Sequence, residues 1–251
     1  MSTWAAKRRL FYLSCVGLFF LTIGVVFYAT QIYKPPSCFD GIQNAFEQGV
    51  DCGGNCQLVC PLSVTDINVR WAEAFPIGAG LYNLAAVIEN PNNDKSTTIE
   101  YVFRAYDNQN LLITEVFNTI DLEPAEIKAL FEPSINTGSR VVDQVFLEFD
   151  SKARWLFDEG NQDSLVSDGY SIRNEDSIPR MQASIKNVSN VPVRDITVVA
   201  ALYDEDDNIY QVSQTYIDRI AAQDKSTAFF TWRKPFEVSI KEVDIFMQHS
   251  R

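Results

Sequence analysis

Four thiols and four oxygen-bearing side chains share one 23-residue stretch of this chain, and their types and spacing allow two kinds of chemistry. Cys38, Cys52, Cys56 and Cys60 are spaced C-x13-C-x3-C-x3-C, and residues 61–251 contain no further cysteine. An even number of cysteines in a segment too short to bury a core predicts two disulfides in an oxidising compartment, with three pairings open. Zinc held by thiolates is the competing chemistry, but Cys-only zinc sites usually carry tighter C-x2-C pairs. Between the cysteines stand Asp40, Asn44, Glu47 and Asp51, with Gly41, Gly49, Gly53 and Gly54 to permit tight turns. That oxygen set suits calcium, although its spacing is not the twelve-residue EF-hand pattern. The same side chains also serve as acceptors for turn amides.

Catalysis is harder to assemble. His249 is the only histidine and stands three residues from the end of the sequence. No Ser/His/Asp set, Cys/His pair, HExxH, P-loop or GxGxxG is present, so neither a positioned base nor a phosphate cradle is expected. Glu123/Glu126 and Asp143/Glu148 are paired carboxylates, but among 33 acids such pairs arise without a cleft to use them. The expectation is a chain that is not an enzyme, with no catalytic residues and no cofactor.

The elements that would position the cysteine segment begin at the amino terminus. Residues 10–33 hold no Asp, Glu, Lys or Arg over 24 positions, long enough as a helix to cross a hydrocarbon core of about 30 Å. Lys7, Arg8 and Arg9 precede it and Lys34 is the first cation after it. That asymmetry puts the amino terminus in the cytoplasm and the bulk of the chain outside. A cleaved signal peptide would have a shorter apolar region and a small-x-small site, whereas Phe27 lies two positions before Ala29. With −12 overall and +3 in residues 1–9, the remainder carries −15, which repels nucleic acid. The cluster Asp204 to Asp207 reads as a solvated turn.

Two later stretches read as copies. "AVIENPNNDKSTTIEYVFRAYDNQNLL" from Ala86 and "ASIKNVSNVPVRDITVVAALYDEDDNIY" from Ala183 both run from an apolar strand through Asn90 or Asn187 to a second strand ending in Tyr-Asp. The offset is 97, and after one inserted residue Phe131 pairs with Phe229 and Val145 with Val243. Register held this far predicts tandem domains. Period-two alternation in Val64, Ile67, Val69 and Trp71, in Ile99, Tyr101, Phe103 and Ala105, and in Ile196, Val198, Ala200 and Leu202 predicts half-buried strands.

The cysteine segment resembles a motif recurrent in secreted and surface-anchored bacterial proteins, C-x-D-G-x-x-N-x-x-E-x-G-x-D-C-G-G-x-C, which implies an extracellular stalk. "FRAYD" from Phe103 and "AALYD" from Ala200 resemble the FxLYD family of extracytoplasmic immunoglobulin-like domains, related in shape to the late-embryogenesis-abundant sandwich. Ala105 stands where that family has Leu and Ala200 where it has Phe. The resemblance implies binding or structural modules, with Phe103, Tyr106, Asp107, Leu202, Tyr203 and Asp204 in structural roles: Tyr hydroxyls on backbone near strand ends, Asp carboxylates on turn amides.

The expected fold is all-β: two tandem immunoglobulin-like β-sandwich domains after one transmembrane α-helix and a small cysteine-rich module. Residues 1–9 form a cytoplasmic tail, 10–33 the transmembrane helix, 34–61 the stalk, 62–157 the first sandwich, 158–169 a linker or a hairpin of the second domain, and 170–251 the second sandwich. The expected function is a single-pass, membrane-anchored extracytoplasmic binding or scaffold protein of the bacterial cell envelope, engaging another envelope or surface protein. The alternative is cell-wall or carbohydrate binding through Trp155, Tyr170, Tyr210 and Trp232, with a glycan as partner.

Overall fold

The computed structural model describes residues 4–33, 36–44, 46–150, 153–160 and 164–249. Lys34 lies outside them. The chain divides into two compact units, Met1–Cys56 and Gln57–Arg251.

In the first unit, α1 (Trp4–Phe27) passes into a π-helical turn, Tyr28–Ile32. The helix begins six residues before the charge-free run and carries Lys7, Arg8 and Arg9 in its opening turns. Two of its hydroxyls bond its own carbonyls, Ser14 Oγ to Phe11 O and Thr22 Oγ1 to Phe19 O, each at 2.8 Å, so these donors do not ask for water. The span Ala6–Gln31 has a mean hydropathy of 2.4, long and apolar enough to cross a membrane, a property shared by anchors and signal sequences. Cys15, on this helix, is a free thiol.

Among the described residues, the second unit is built from thirteen strands. β1 (Asn68–Gly78), β2 (Leu81–Glu89) and β5 (Ile127–Asn136) form one antiparallel sheet in the order β1-β2-β5. Against it lie β3 (Lys95–Tyr106), β4 (Leu112–Leu122) and β6 (Gln144–Phe149) in the order β4-β3-β6, with β7 (Arg154–Phe157) paired to the start of β3. Leu84, Ala86, Ile88, Ile99, Tyr101, Phe103, Leu122 and Leu130 fill the space between them. The second sandwich has the corresponding orders. β8 (Leu165–Arg173), β9 (Arg180–Asn187) and β12 (Lys225–Thr231) form β12-β9-β8, and β10 (Val193–Tyr203), β11 (Ile209–Ile220) and β13 (Glu242–His249) form β11-β10-β13. Met181, Ile185, Ile196, Leu202 and Phe230 centre its core.

A third core joins the sandwiches. Phe75, Ala85, Val87 and Ala129 on the outer face of β1-β2-β5 pack with Val199, Ala201 and Val212 on the outer face of β11-β10-β13. Four sheets are therefore stacked, and β2 and β10 are covered on both faces. Their sequences carry the consequence: Leu84–Ile88 and Val198–Leu202 are unbroken apolar runs, every residue buried, where β9 alternates. The alternation read in β10 from Ile196, Val198, Ala200 and Leu202 describes one face only, since Val199 and Ala201 are 1% and 0% exposed on the other.

Buried asparagines close the matching turns. Asn90 Nδ2 donates to Lys95 O (2.8 Å) and Glu123 O (2.6 Å), and its Oδ1 accepts from Asn92 N. Asn187 Nδ2 donates to Val191 O (2.7 Å) and Ala221 O (3.0 Å), and its Oδ1 accepts from Ser189 N. Both are fully buried, as unpaired turn carbonyls would otherwise be costly. The segment 158–169 does not serve wholly as a linker: β8 begins at Leu165, whose side chain enters the second core. Its apolar pair Leu165-Val166 starts a strand that the surrounding Gly, Ser and Asp conceal.

Candidate functional site

At the two Tyr-Asp strand ends the aspartates bond the amides of their own turns. Asp107 Oδ1 accepts from the amides of Gln109 (2.9 Å) and Leu111 (3.0 Å), and its Oδ2 pairs with Arg140 Nη2 at 2.6 Å. The Arg140 guanidinium, ahead of the turn amides, holds this carboxyl below its ordinary value. Asp204 Oδ1 accepts from Asp206 N and Asn208 N, both at 2.9 Å. Phe103 and Leu202 are fully buried. The two copies compensate at these positions: Phe103 with Ala105 on one strand and Ala200 with Leu202 on the other each present one large and one small side chain inward.

The tyrosines differ from the expected backbone pairing. Tyr106 is half-buried and edge-on to Phe146 at 5.7 Å. Tyr203 Oη accepts from the indole Nε1 of Trp71 in the other sandwich at 3.1 Å, because its strand end lies in the third core and not at a free surface. Burial pushes the Tyr203 hydroxyl above its usual value. Toward the other end of β13, Gln248 Nε2 donates to Ala129 O, a second polar tie between the sandwiches.

In the cysteine segment, Cys38 and Cys56 form one disulfide, and Cys52 and Cys60 are also disulfide-bonded. Glu47 lies near Cys38 and Cys56, but oxidised sulfurs offer no thiolate to a metal. The hard-oxygen set is turned onto backbone. Asp51 Oδ1 accepts from Asp40 N (2.9 Å) and Gly41 N (3.1 Å), Asp40 Oδ1 from Ile42 N (3.0 Å), and Glu47 Oε2 from Asn44 N (3.1 Å). Asn44 Nδ2 donates to Asp40 Oδ2 at 2.7 Å. Gly54 has φ +63°, and a Cβ there would stand 1.7 Å from Phe46 O, so no other residue fits this turn.

Of the aromatic residues expected to offer glycan contact, Trp155 and Trp232 are each 8% exposed and belong to the interior. For Trp155 the reason lies in β7, a short edge strand in polar sequence whose indole nevertheless turns inward, where the amide of Val59 bonds Trp155 O at 2.9 Å. Tyr170 is exposed on β8. Tyr210 and Trp232 line a cleft of about 480 Å³ between the sandwiches, where Phe236 stands edge-on to Trp232 at 5.2 Å and to Tyr210 at 5.8 Å. Arg233, Lys234, Glu237, Gln211 and Gln214 are among its polar residues. Phe236, 26 residues from Tyr210, carries no sequence signal for this site.

His249 does meet a serine: its Nε2 is 3.2 Å from Ser164 Oγ. The pair lies at the surface.

The two free outer faces complete the surface. On β4-β3-β6, Arg104 pairs with Glu115 at 2.7 Å and with Glu148, flanked by exposed Phe117 and Phe146. The matching positions of the second sandwich, Ala201, Val212 and Phe246, lie in the third core. On β12-β9-β8, Gln182, Ser184, Thr227 and exposed Phe229 occupy the places that Ala85, Val87, Ala129 and Phe131 hold in the buried face of the first sandwich. The same two kinds of face are thus apolar where they meet and polar where they end.

No family model and no curated protein matches the chain. Among solved structures it is similar to red sea bream transglutaminase, at 9% identity and a TM-score of 0.27 over 74% of this chain, and it spans 29% of that protein. It is also similar to the tandem CBM22-1-CBM22-2 of Paenibacillus barcinonensis Xyn10C, at 9% identity and a TM-score of 0.16, covering 73% of this chain and 85% of that one.

Proposed function

We propose that this chain is a single-pass, membrane-anchored extracytoplasmic scaffold of the bacterial cell envelope that presents two duplicated FxLYD-like sandwiches as one rigid body to a protein partner. The third core is the observation that carries the reading. A protein that needed only reach would string its domains on a flexible linker, whereas seven buried residues that join them fix the geometry of every exposed face. The apolar span with Lys7, Arg8 and Arg9 at its start supports an anchor with an inside amino terminus. Disulfides at all four cysteines after it support an oxidising exterior. The matching strand orders and the offset of 97 support duplication.

The test is lysine labelling of intact cells with a reagent confined to the outside. Lys241 is labelled and Lys7 is not; labelling of Lys7 with protection of Lys241 contradicts the reading. A second reading, glycan binding, is favoured by the aromatic cleft at Tyr210, Trp232 and Phe236. Retention of the protein on peptidoglycan or polysaccharide, lost in Tyr210→Ala, supports it, and no retention of the parent protein sinks it.

A further inference from the structure

We propose that the partner is a second copy of this chain, docked head to tail with the β4-β3-β6 face of one copy on the β12-β9-β8 face of the next. The inference builds on the scaffold reading above and names what the scaffold holds.

Three observations lead there. First, the chain already joins these two kinds of face once, in the third core. The joint is heterologous, since different surfaces meet, so it leaves one unused face of each kind at opposite ends of the stack. Such an interface does not close on itself and can be repeated between molecules.

Second, the free faces are opposite in charge. Strand register on β12-β9-β8 places Arg173, Arg180, Lys186 and Lys225 outward, and the one carboxylate within these three strands, Asp168, sits in the bulge of β8. Four cations against one carboxylate make this face basic on a chain whose net charge is −12. On β4-β3-β6 and β7 the outward positions hold Glu100, Glu115, Asp121 and Glu148 against Arg104 and Arg154. Opposed faces of this kind attract and orient one another, and like faces repel, so head-to-tail pairing is selected over face-to-face pairing.

Third, each face keeps exposed aromatic side chains, Phe117 (69%) and Phe146 (52%) on one and Phe229 (60%) on the other. They belong to no core, and in the docked pair they supply apolar contact between the charged rims. The intramolecular joint is apolar and permanent. The intermolecular one is charged, and therefore weaker and sensitive to salt.

The experiment uses the full chain in detergent micelles, mixing isotopically light and heavy copies and joining carboxylates to amines with a carbodiimide. At about 0.01 M salt, where charges act over about 30 Å, copies associate and cross-links between light and heavy peptides join Glu115 or Glu148 to Lys186 or Lys225. At about 1 M salt both signals are lost. Glu148→Lys alone and Lys186→Glu alone each weaken association by about tenfold or more. An equal mixture of the two variants restores it, because the native acidic face of one meets the native basic face of the other. Matching thermal unfolding of the variants and the parent shows that the loss is not misfolding. A monomer at low salt, association indifferent to salt and to both substitutions, or cross-links confined to like faces overturns the proposal. Lys241 found in the cytoplasm would overturn the anchoring reading and leave the self-association standing; a monomeric chain with Lys241 outside would do the reverse.

Discussion

The indole of Trp71, on β1, donates to the hydroxyl of Tyr203, on β10, at 3.1 Å, and the two residues belong to different sandwiches. Both side chains pack against the apolar contact formed by Phe75, Val87, Val199 and Ala201. Tyr203 thus serves two purposes: its ring closes the joint and its oxygen satisfies the polar group that Trp71 brings into it. The function proposed for this protein depends on that joint, because a fixed pair of sandwiches is what makes the outer faces a defined surface.

Trp71→Phe keeps an aromatic ring in the joint and removes the donor. The Tyr203 oxygen then loses the hydrogen bond it accepts in a half-buried position, and unfolding free energy falls by about 1–2 kcal/mol. Denaturant titration checks the value. Trp71→Phe with Tyr203→Phe together loses less than the two single changes added, since both remove the same bond.

Asn187→Ala removes a side chain that bonds three backbone carbonyls through one amide group. Asn187 is fully buried, so its bonds are lost inside the protein. The loss is about 3 kcal/mol, and Asn187→Asp loses as much or more, because a carboxylate has no donor for them. Thermal unfolding of the parent and both variants tests the prediction; an Asn187→Asp variant as stable as the parent contradicts it.

Asp107→Asn destabilises the first sandwich at neutral pH through loss of the Arg140 ion pair. The folded carboxyl lies below its ordinary value, so its stabilising contribution is fully present above the unfolded value near 3.8 and is lost as pH falls through the lower folded value. The gap between parent and variant therefore closes only in strong acid. A gap that is constant from neutral pH down to acid would show that the charge plays no part.

Much of this architecture is legible before any coordinates. The period-two pattern of β3 and β9 reports a single buried face, and the cysteine spacing reports a stapled segment. The joint is harder to read, though its signal exists: Leu84-Ala85-Ala86-Val87-Ile88 and Val198-Val199-Ala200-Ala201-Leu202 are strands without a polar face, which is how a strand covered on both sides must read. Comparing copies sharpens it, since Arg104 against Ala201 and Glu115 against Val212 are exchanges of charge for apolar surface at matching positions. The cleft at Tyr210, Trp232 and Phe236 is not legible in this way. It arises where β1, β2 and β5 of the first sandwich meet β11 and the segment 232–237 of the second, and the spacing of its residues along the chain obeys no local period. Trp155 misleads for a related reason, as its burial comes from Gln57–Val59 running alongside β7, a long-range pairing with no sequence mark.

Calorimetric unfolding of the full chain in detergent, beside Val199→Asp, tests most directly whether the two sandwiches are one body. Val199 is 1% exposed in the joint and lies outside both sandwich cores, so a carboxylate there costs several kcal/mol against the joint alone. The parent melts in a single transition whose calorimetric and van't Hoff enthalpies agree, and Val199→Asp splits it into two. Two separate transitions in the parent, unchanged by the substitution, would contradict the account.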